Sequence, residues 1–186
     1  MKPKKPAIFL DRDGTITKEV GYLYNPHWLS LIPGSLDALV QLKEAGFKLA
    51  VVTNQSGIER NYFGWKELFE ANERLMHLLG EGGVLLDGIY VCPHMQESNC
   101  NCRKPKPGLI FKAALELGID IKKSIVVGDK STDVGLGRHL GLKAILVKTG
   151  FGKSEINKLN GKALKPDFIA EDLLEASTWI LKNQTF

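Results

Sequence analysis

A chain of 186 residues with a hydrophobic share of 44% is long enough to bury a full core. Its 25 basic and 21 acidic residues leave a net charge of only +4, with no arginine-rich tract and no aromatic-basic interleaving, which argues against a nucleic-acid partner. No apolar run reaches the roughly 20 residues of a membrane span, and the basic start Met1-Lys2-Pro3-Lys4-Lys5-Pro6 has no signal-peptide core behind it, so a cytoplasmic location and no membrane partner are expected.

Residues 7–10 are the first predicted strand, and the chain leaves it through Asp11-Arg12-Asp13-Gly14-Thr15. Two carboxylates this close at the end of a buried strand repel each other. A divalent cation removes that cost, and hard oxygen ligands suit Mg²⁺. A polar turn after a strand has the same composition, so the rest of the chain has to decide. Residues 35–45 read as a helix with Leu36, Leu39 and Val40 on one face, closed by Gly46. The second strand, 48–53, ends in Thr53-Asn54-Gln55-Ser56-Gly57, a hydroxyl and amides able to meet a phosphoryl group. A helix over 65–79 and a strand over 88–91 follow, then the run from Cys92 to Pro107. A helix over 108–117 stops at Gly118, and a strand over 124–128 ends in Gly128-Asp129-Lys130. The remainder reads as a helix over 132–140, strands over 143–147 and 167–170, and a helix over 171–181. This alternation predicts an α/β fold: a doubly wound parallel sheet with helices on both faces, as one domain over 1–186 without a large cap. No helix has a surplus apolar face, which points to a monomer.

Three connections, 11–33, 54–64 and 92–107, are too long to be simple links. Each begins at the carboxyl end of a strand, so they should converge on one edge of the sheet and carry the site. Asp129 falls where a third carboxylate could reach a metal held by Asp11, while Asp133 suits a structural role, capping the next helix or tying down a loop. Cys92, His94, Cys100 and Cys102 hold all three cysteines of the chain within eleven residues. Such a Cys₃His set suits tetrahedral Zn²⁺, and four protein ligands leave no open position, so this metal would be structural. Arg103-Lys104-Pro105 follows directly. Two cations beside three carboxylates suit a phosphate ester better than a neutral substrate.

Four motifs in order, Asp11-x-Asp13-Gly14-Thr15, Thr53-Asn54, Lys104 and Gly128-Asp129-x-x-x-Asp133, resemble the haloacid dehalogenase superfamily of phosphohydrolases over about residues 7–150. The resemblance implies a catalytic set of Asp11 as nucleophile, Asp13 as proton donor and acceptor, and Thr53 and Lys104 holding the phosphoryl group. It implies Mg²⁺ between the Asp11 carboxylate, the Asp13 main-chain carbonyl and Asp129. With the zinc loop added, the chain looks like the D-glycero-D-manno-heptose-1,7-bisphosphate 7-phosphatases and their relatives, the histidinol-phosphate phosphatases. On that likeness the substrate is a small phosphorylated sugar in ADP- or GDP-heptose precursor synthesis, which serves lipopolysaccharide. Glu19, Gly21, Tyr22, Asn54, Gln55, Ser56, Arg103 and Lys130 would bind it.

The five residues between His94 and Cys100 equal the spacing of histidinol-phosphate phosphatases, so that activity stays as an alternative. Asn61 stands where the heptose enzymes often have glycine, and asparagine tolerates left-handed backbone. Two non-enzyme readings fit the residues less well. A phosphoacceptor signalling domain needs neither the two-aspartate order on the first strand nor a zinc loop. A zinc-dependent nucleic-acid binder is opposed by the ligand spacing and the small net charge.

Overall fold

A computed structural model describes residues 3–23, 25–159 and 164–183; the ends of the expected domain, 1–2 and 184–186, lie outside these. Strands β1 (Ala7–Leu10), β2 (Lys48–Asn54), β3 (Gly88–Cys92), β4 (Ile125–Gly128), β5 (Lys143–Val147) and β6 (Phe168–Ala170) form one sheet in the order β3-β2-β1-β4-β5-β6. Every neighbouring pair is parallel. Parallel neighbours need crossovers, and these run through helices α1 (Ser35–Glu44), α2 (Trp65–Glu81), α3 (Gly108–Leu117), α4 (Ser131–Leu140) and α5 (Gly152–Leu159), while α6 (Leu173–Asn183) follows the last strand.

Both faces of the sheet are covered, which is why the strands read as continuous apolar runs. Ile8 and Leu10 of β1 point to one face with Leu49, Val51, Val127 and Ile145, against α1, α2 and α6. Ala7 and Phe9 point to the other, with Ala50, Val52 and Val126, against α3 and Leu136 of α4. Each fully buried Leu or Ile contributes about 1.5–3 kcal/mol, and a one-residue slip of β1 would exchange its faces, setting Ile8 and Leu10 into the space shaped by Ala7 and Phe9. The described residues form one sheet.

The predicted strands and the helices over 35–45, 65–79, 108–117, 132–140 and 171–181 are all present, with ends moved by one or two residues. Helix α5 was not anticipated. It opens on Gly152, is mostly polar and buries only Gly152, Glu155 and Leu159. Leu159 and Ile156 pack against Val134, Ala144 and Leu146, and the Glu155 carboxylate accepts the Ser131 N–H at 2.8 Å, fastening α5 to the start of α4. Asn61 adopts φ 55°, the left-handed geometry expected of it.

Candidate active site

Successive strands are added in opposite directions on either side of β1 and β4, which lie side by side at the centre of the sheet. Ligands of open α/β sheets bind outside the carboxyl ends of strands at such a point. The three long connections all reach this edge. One cleft is lined by Asp11, Asp13, Glu19, Gly21 and Tyr22 from the first, Thr53 to Gly57 from the second, and Arg103 and Lys104 from the third. Lys130, Thr132 and Phe151 close it from the β4 and β5 side. Every residue expected to bind substrate or take part in catalysis therefore borders one opening.

At its floor lies a buried charge cluster. The Lys104 ammonium sits 2.8 Å from Asp11 Oδ1 and 2.7 Å from Asp133 Oδ1. Burial opposes the lysine's charge, but Asp11 and Asp133 outweigh it and hold its pKa above the ordinary value. Burial likewise works against the Asp11 carboxylate, and Lys104 with Lys130 reverses that, holding its pKa below the usual range. Asp133 also accepts the Lys130 N–H at 3.1 Å, capping α4. Asp133 thus both caps the helix and tethers the neighbouring loop through Lys104. Asn54 gives both amide atoms to the Lys104 main chain: Nδ2 donates to its carbonyl at 3.3 Å and Oδ1 accepts its N–H at 3.1 Å. Its work is to place Lys104 as much as to line the cleft. Thr53 Oγ1 accepts from Gln55 Nε2 at 2.9 Å, which leaves its own proton for a ligand.

A cation site can be tested on the carboxylates themselves. Oxygens of Asp11, Asp129 and Asp133 lie within 4.8 Å of one another. Asp129 is fully buried, and its Oδ1 has no hydrogen-bond partner. Its Oδ2 accepts the Phe151 N–H at 2.8 Å. A Cβ on Gly14 (φ +83°) or Gly150 (φ +55°) would lie 2.2 or 2.3 Å from that Oδ2, so two glycines are needed to bring backbone against this one side chain. Burial, then the Asp11 charge, push Asp129 up to about 8 in the metal-free protein. An orphaned buried oxygen with a reluctant charge, beside Asp11, fits a hard divalent cation. Asp133 has both oxygens engaged, by Lys104 and by the Lys130 N–H, whereas the Lys104 and Arg12 contacts of Asp11 both fall on Oδ1, so Asp11 and Asp129 are the side chains better placed to ligate.

The second cluster is Cys92, His94, Cys100 and Cys102, whose ligand atoms also lie within 4.8 Å of one another. The sulfurs are 3.1, 3.4 and 3.6 Å apart, and His94 Nδ1 is 3.6 and 3.2 Å from Cys92 and Cys102. Bonds of 2.3 Å to a tetrahedral centre imply sulfur separations of about 3.8 Å, so zinc fits after a small outward shift. Despite burial, the Cys102 thiol and the N–H groups of Arg103 and Cys102 pull Cys100 down to about 6, giving one ready thiolate. Arg103 Nη1 donates to the His94 carbonyl at 2.8 Å, so the loop that gathers these ligands also orients Arg103. Glu59 accepts from Met95 N–H and Ser98 Oγ, joining this loop to the one after β2.

The outer wall is built by Glu19, Tyr22, Arg103, Lys130 and Phe151. Lys130 Nζ is 3.4 Å from Glu19 and 4.6 Å from the centre of the Phe151 ring. Glu19 also accepts the Gly21 N–H at 2.7 Å, in a turn that needs φ 76° at Gly21. Tyr22 packs edge-on against Tyr62 at 4.6 Å. Three contributors escaped the sequence reading: Arg12, Thr132 and Phe151. Phe151 lies just past the end of β5, where a fifth strand terminus with Gly150 and Gly152 around it was the available signal.

The sequence model of the HAD-hydrolase-like family matches residues 101–176. The chain is similar to the D-glycero-D-manno-heptose-1,7-bisphosphate 7-phosphatase of Thermosynechococcus vestitus, at 38% identity over 95% of each chain. It is 46% identical to the D-glycero-beta-D-manno-heptose-1,7-bisphosphate 7-phosphatase of Pasteurella multocida, over 78% of this chain and 83% of that one. Among solved structures, the D,D-heptose 1,7-bisphosphate phosphatase from B. bronchiseptica, complexed with magnesium and phosphate, superposes with a TM-score of 0.88. That match has 29% identity and covers 96% of this chain and 99% of the other.

Proposed function

Since this chain belongs to the D-glycero-D-manno-heptose-1,7-bisphosphate 7-phosphatase family of haloacid dehalogenase-type hydrolases, we propose that it removes the 7-phosphate of that sugar bisphosphate through an aspartyl-phosphate on Asp11. It is a phosphoric monoester hydrolase, as its relatives are named. The observation that carries the reading is the pairing within one cleft of a buried Asp11–Lys104–Asp133 cluster with outer cations, Arg103 and Lys130. The first suits a reacting phosphoryl group, and the second can hold a distant phosphate.

Asp11 Oδ1 is held by Lys104 and by the Arg12 N–H at 2.9 Å, which fixes the carboxylate for in-line attack. The P–O bond to the sugar breaks as the bond to Asp11 forms, and Asp13 supplies a proton to the departing oxygen. Asp13 then takes a proton from water, which attacks phosphorus and releases the Asp11 carboxylate. Thr53 and Lys104 neutralise and orient the transferring group. Bound Mg²⁺, held by Asp11, Asp129 and the Asp13 main-chain carbonyl, would act as Lewis acid and template. Cation binding at neutral pH has to displace a proton from Asp129, whose pKa stands at about 8. Apparent Mg²⁺ affinity should therefore rise up to about tenfold per pH unit from pH 6 towards that value and then level off. Calorimetric titrations with the same affinity at pH 6 and pH 8 would contradict this.

Zinc at Cys92, His94, Cys100 and Cys102 would hold the loop that carries Arg103. Metal analysis of protein purified without chelator should find about one zinc per chain. Cys100→Ser should lower both that content and turnover. Full activity in a zinc-free protein would remove zinc from the account.

The deciding assay compares kcat/KM on both anomers of heptose 1,7-bisphosphate with histidinol phosphate. Histidinol phosphate presents an ammonium and an imidazole to Arg103 and Lys130, whose charge Glu19 offsets only in part. The bisphosphate should be favoured, and Arg103→Ala should narrow the gap. Preference for histidinol phosphate would overturn the substrate assignment.

A further inference from the structure

Arg12 is the largest side chain of the described residues with no solvent exposure. It lies between the two aspartates of the first loop, where sequence reading treats it as filler. Its guanidinium forms a fork on Asp13: Nε is 3.1 Å from both carboxylate oxygens, and Nη2 is 2.9 Å from Oδ2. Among the described residues Asp13 is its one ion-pair partner within 4 Å. The remaining nitrogen, Nη1, donates to Asn72 Oδ1 on α2 at 2.9 Å, and Asn72 is itself buried. From the cleft side Gln55 Nε2 reaches Asp13 Oδ2 at 2.7 Å, and Thr17 Oγ1 lies 3.3 Å from Oδ1.

A planar fork bound to both oxygens fixes the plane of a carboxylate, where a single donor leaves it free to turn. Asn72 fixes the fork in turn, from a helix seated in the core. Only the Asp13 end of this chain of contacts reaches the cleft, with 14% of its side chain exposed. We propose that Arg12, anchored by Asn72, is a positioning residue that sets the orientation in which Asp13 passes its proton to the leaving oxygen. The proposal rests on the reading of Asp13 as the proton donor. A loop built only to fold could have met the Arg12 position with an apolar side chain, since taking a charge into the core is expensive unless it is paired.

The test separates positioning from folding by the leaving group. A sugar alkoxide needs a proton as it departs; a nitrophenolate does not. The parameter is kcat/KM, which reports the steps through release of the leaving group and is blind to the later hydrolysis common to both esters. Arg12→Met should lower kcat/KM on heptose bisphosphate by about 10–100-fold. On 4-nitrophenyl phosphate the same variant should stay within about threefold of the parent, since proton donation is there dispensable. Asn72→Leu keeps the fork but frees its far end, and should show the same asymmetry at smaller size. It answers the question by itself if Arg12→Met does not fold. Equal losses on the two esters, or no loss on either, would overturn the proposal. Asp13→Asn is the reference: if it does not discriminate between the esters, the reading of Asp13 fails. If it does and the Arg12 and Asn72 variants do not, only the positioning role fails.

Discussion

Asp11→Asn is expected to abolish turnover, by about 10⁴–10⁶-fold, while the protein stays folded. The two outcomes separate because the two carboxylate oxygens do different work. Oδ1 accepts from the Arg12 N–H at 2.9 Å and from Lys104 at 2.8 Å. An asparagine with its carbonyl in that place keeps both contacts. Its amide nitrogen then stands where the attacking oxygen was, and it has no free lone pair with which to form an acyl phosphate. Trapping with acid during turnover should give a phosphorylated parent and an unphosphorylated variant. Near-native rates from Asp11→Asn, with deamidation excluded by mass spectrometry, would refute Asp11 as nucleophile.

Lys104→Met should be as damaging and for a second reason. It removes the ammonium that ion-pairs with both Asp11 and Asp133, at a site where all three side chains are at most 6% exposed. Removing one member of a buried charge cluster leaves the others uncompensated, a loss of about 3–5 kcal/mol. At about 2–4 °C per kcal/mol for a chain of this size, the melting temperature should fall by roughly 10 °C. Adding Asp133→Asn removes one of the orphaned charges and should restore part of that stability. It should not restore turnover, because the ammonium that neutralises and orients the transferring phosphoryl group is gone. A double variant that recovers activity together with stability would show that Lys104 serves the fold alone.

The elements of the sheet were legible because burial on both faces writes itself into a strand as unbroken apolar sequence, as in Ala7–Leu10 and Ile125–Gly128. The chemistry at their ends was legible for a related reason. Carboxylates at strand termini and a Cys₃His run are too costly, or too reactive, to be common by chance. Helix α5 was not legible, since it turns only Ile156 and Leu159 to the core and its polar tie, Glu155 to the Ser131 N–H, looks like an ordinary surface charge in the sequence. Asn54 reads as a substrate-facing amide, yet its partner is the main chain of a residue fifty positions away.

Sequence alone determined that Asp11, Asp13 and Asp129 stand at the carboxyl ends of parallel strands, that Arg103 and Lys104 follow a metal-type loop, and that these suit a phosphate ester. Periodicity and local spacing carry that much, because they record which residues share a face or a loop. Tertiary structure decided which way each charge turns. It gave Arg12 to Asp13 and Asn72, Lys104 to Asp11 and Asp133, and the Phe151 N–H to Asp129, while leaving one Asp129 oxygen open for a cation. Those pairings depend on desolvation and on donors brought from distant elements, and neither has any signature in the linear chain.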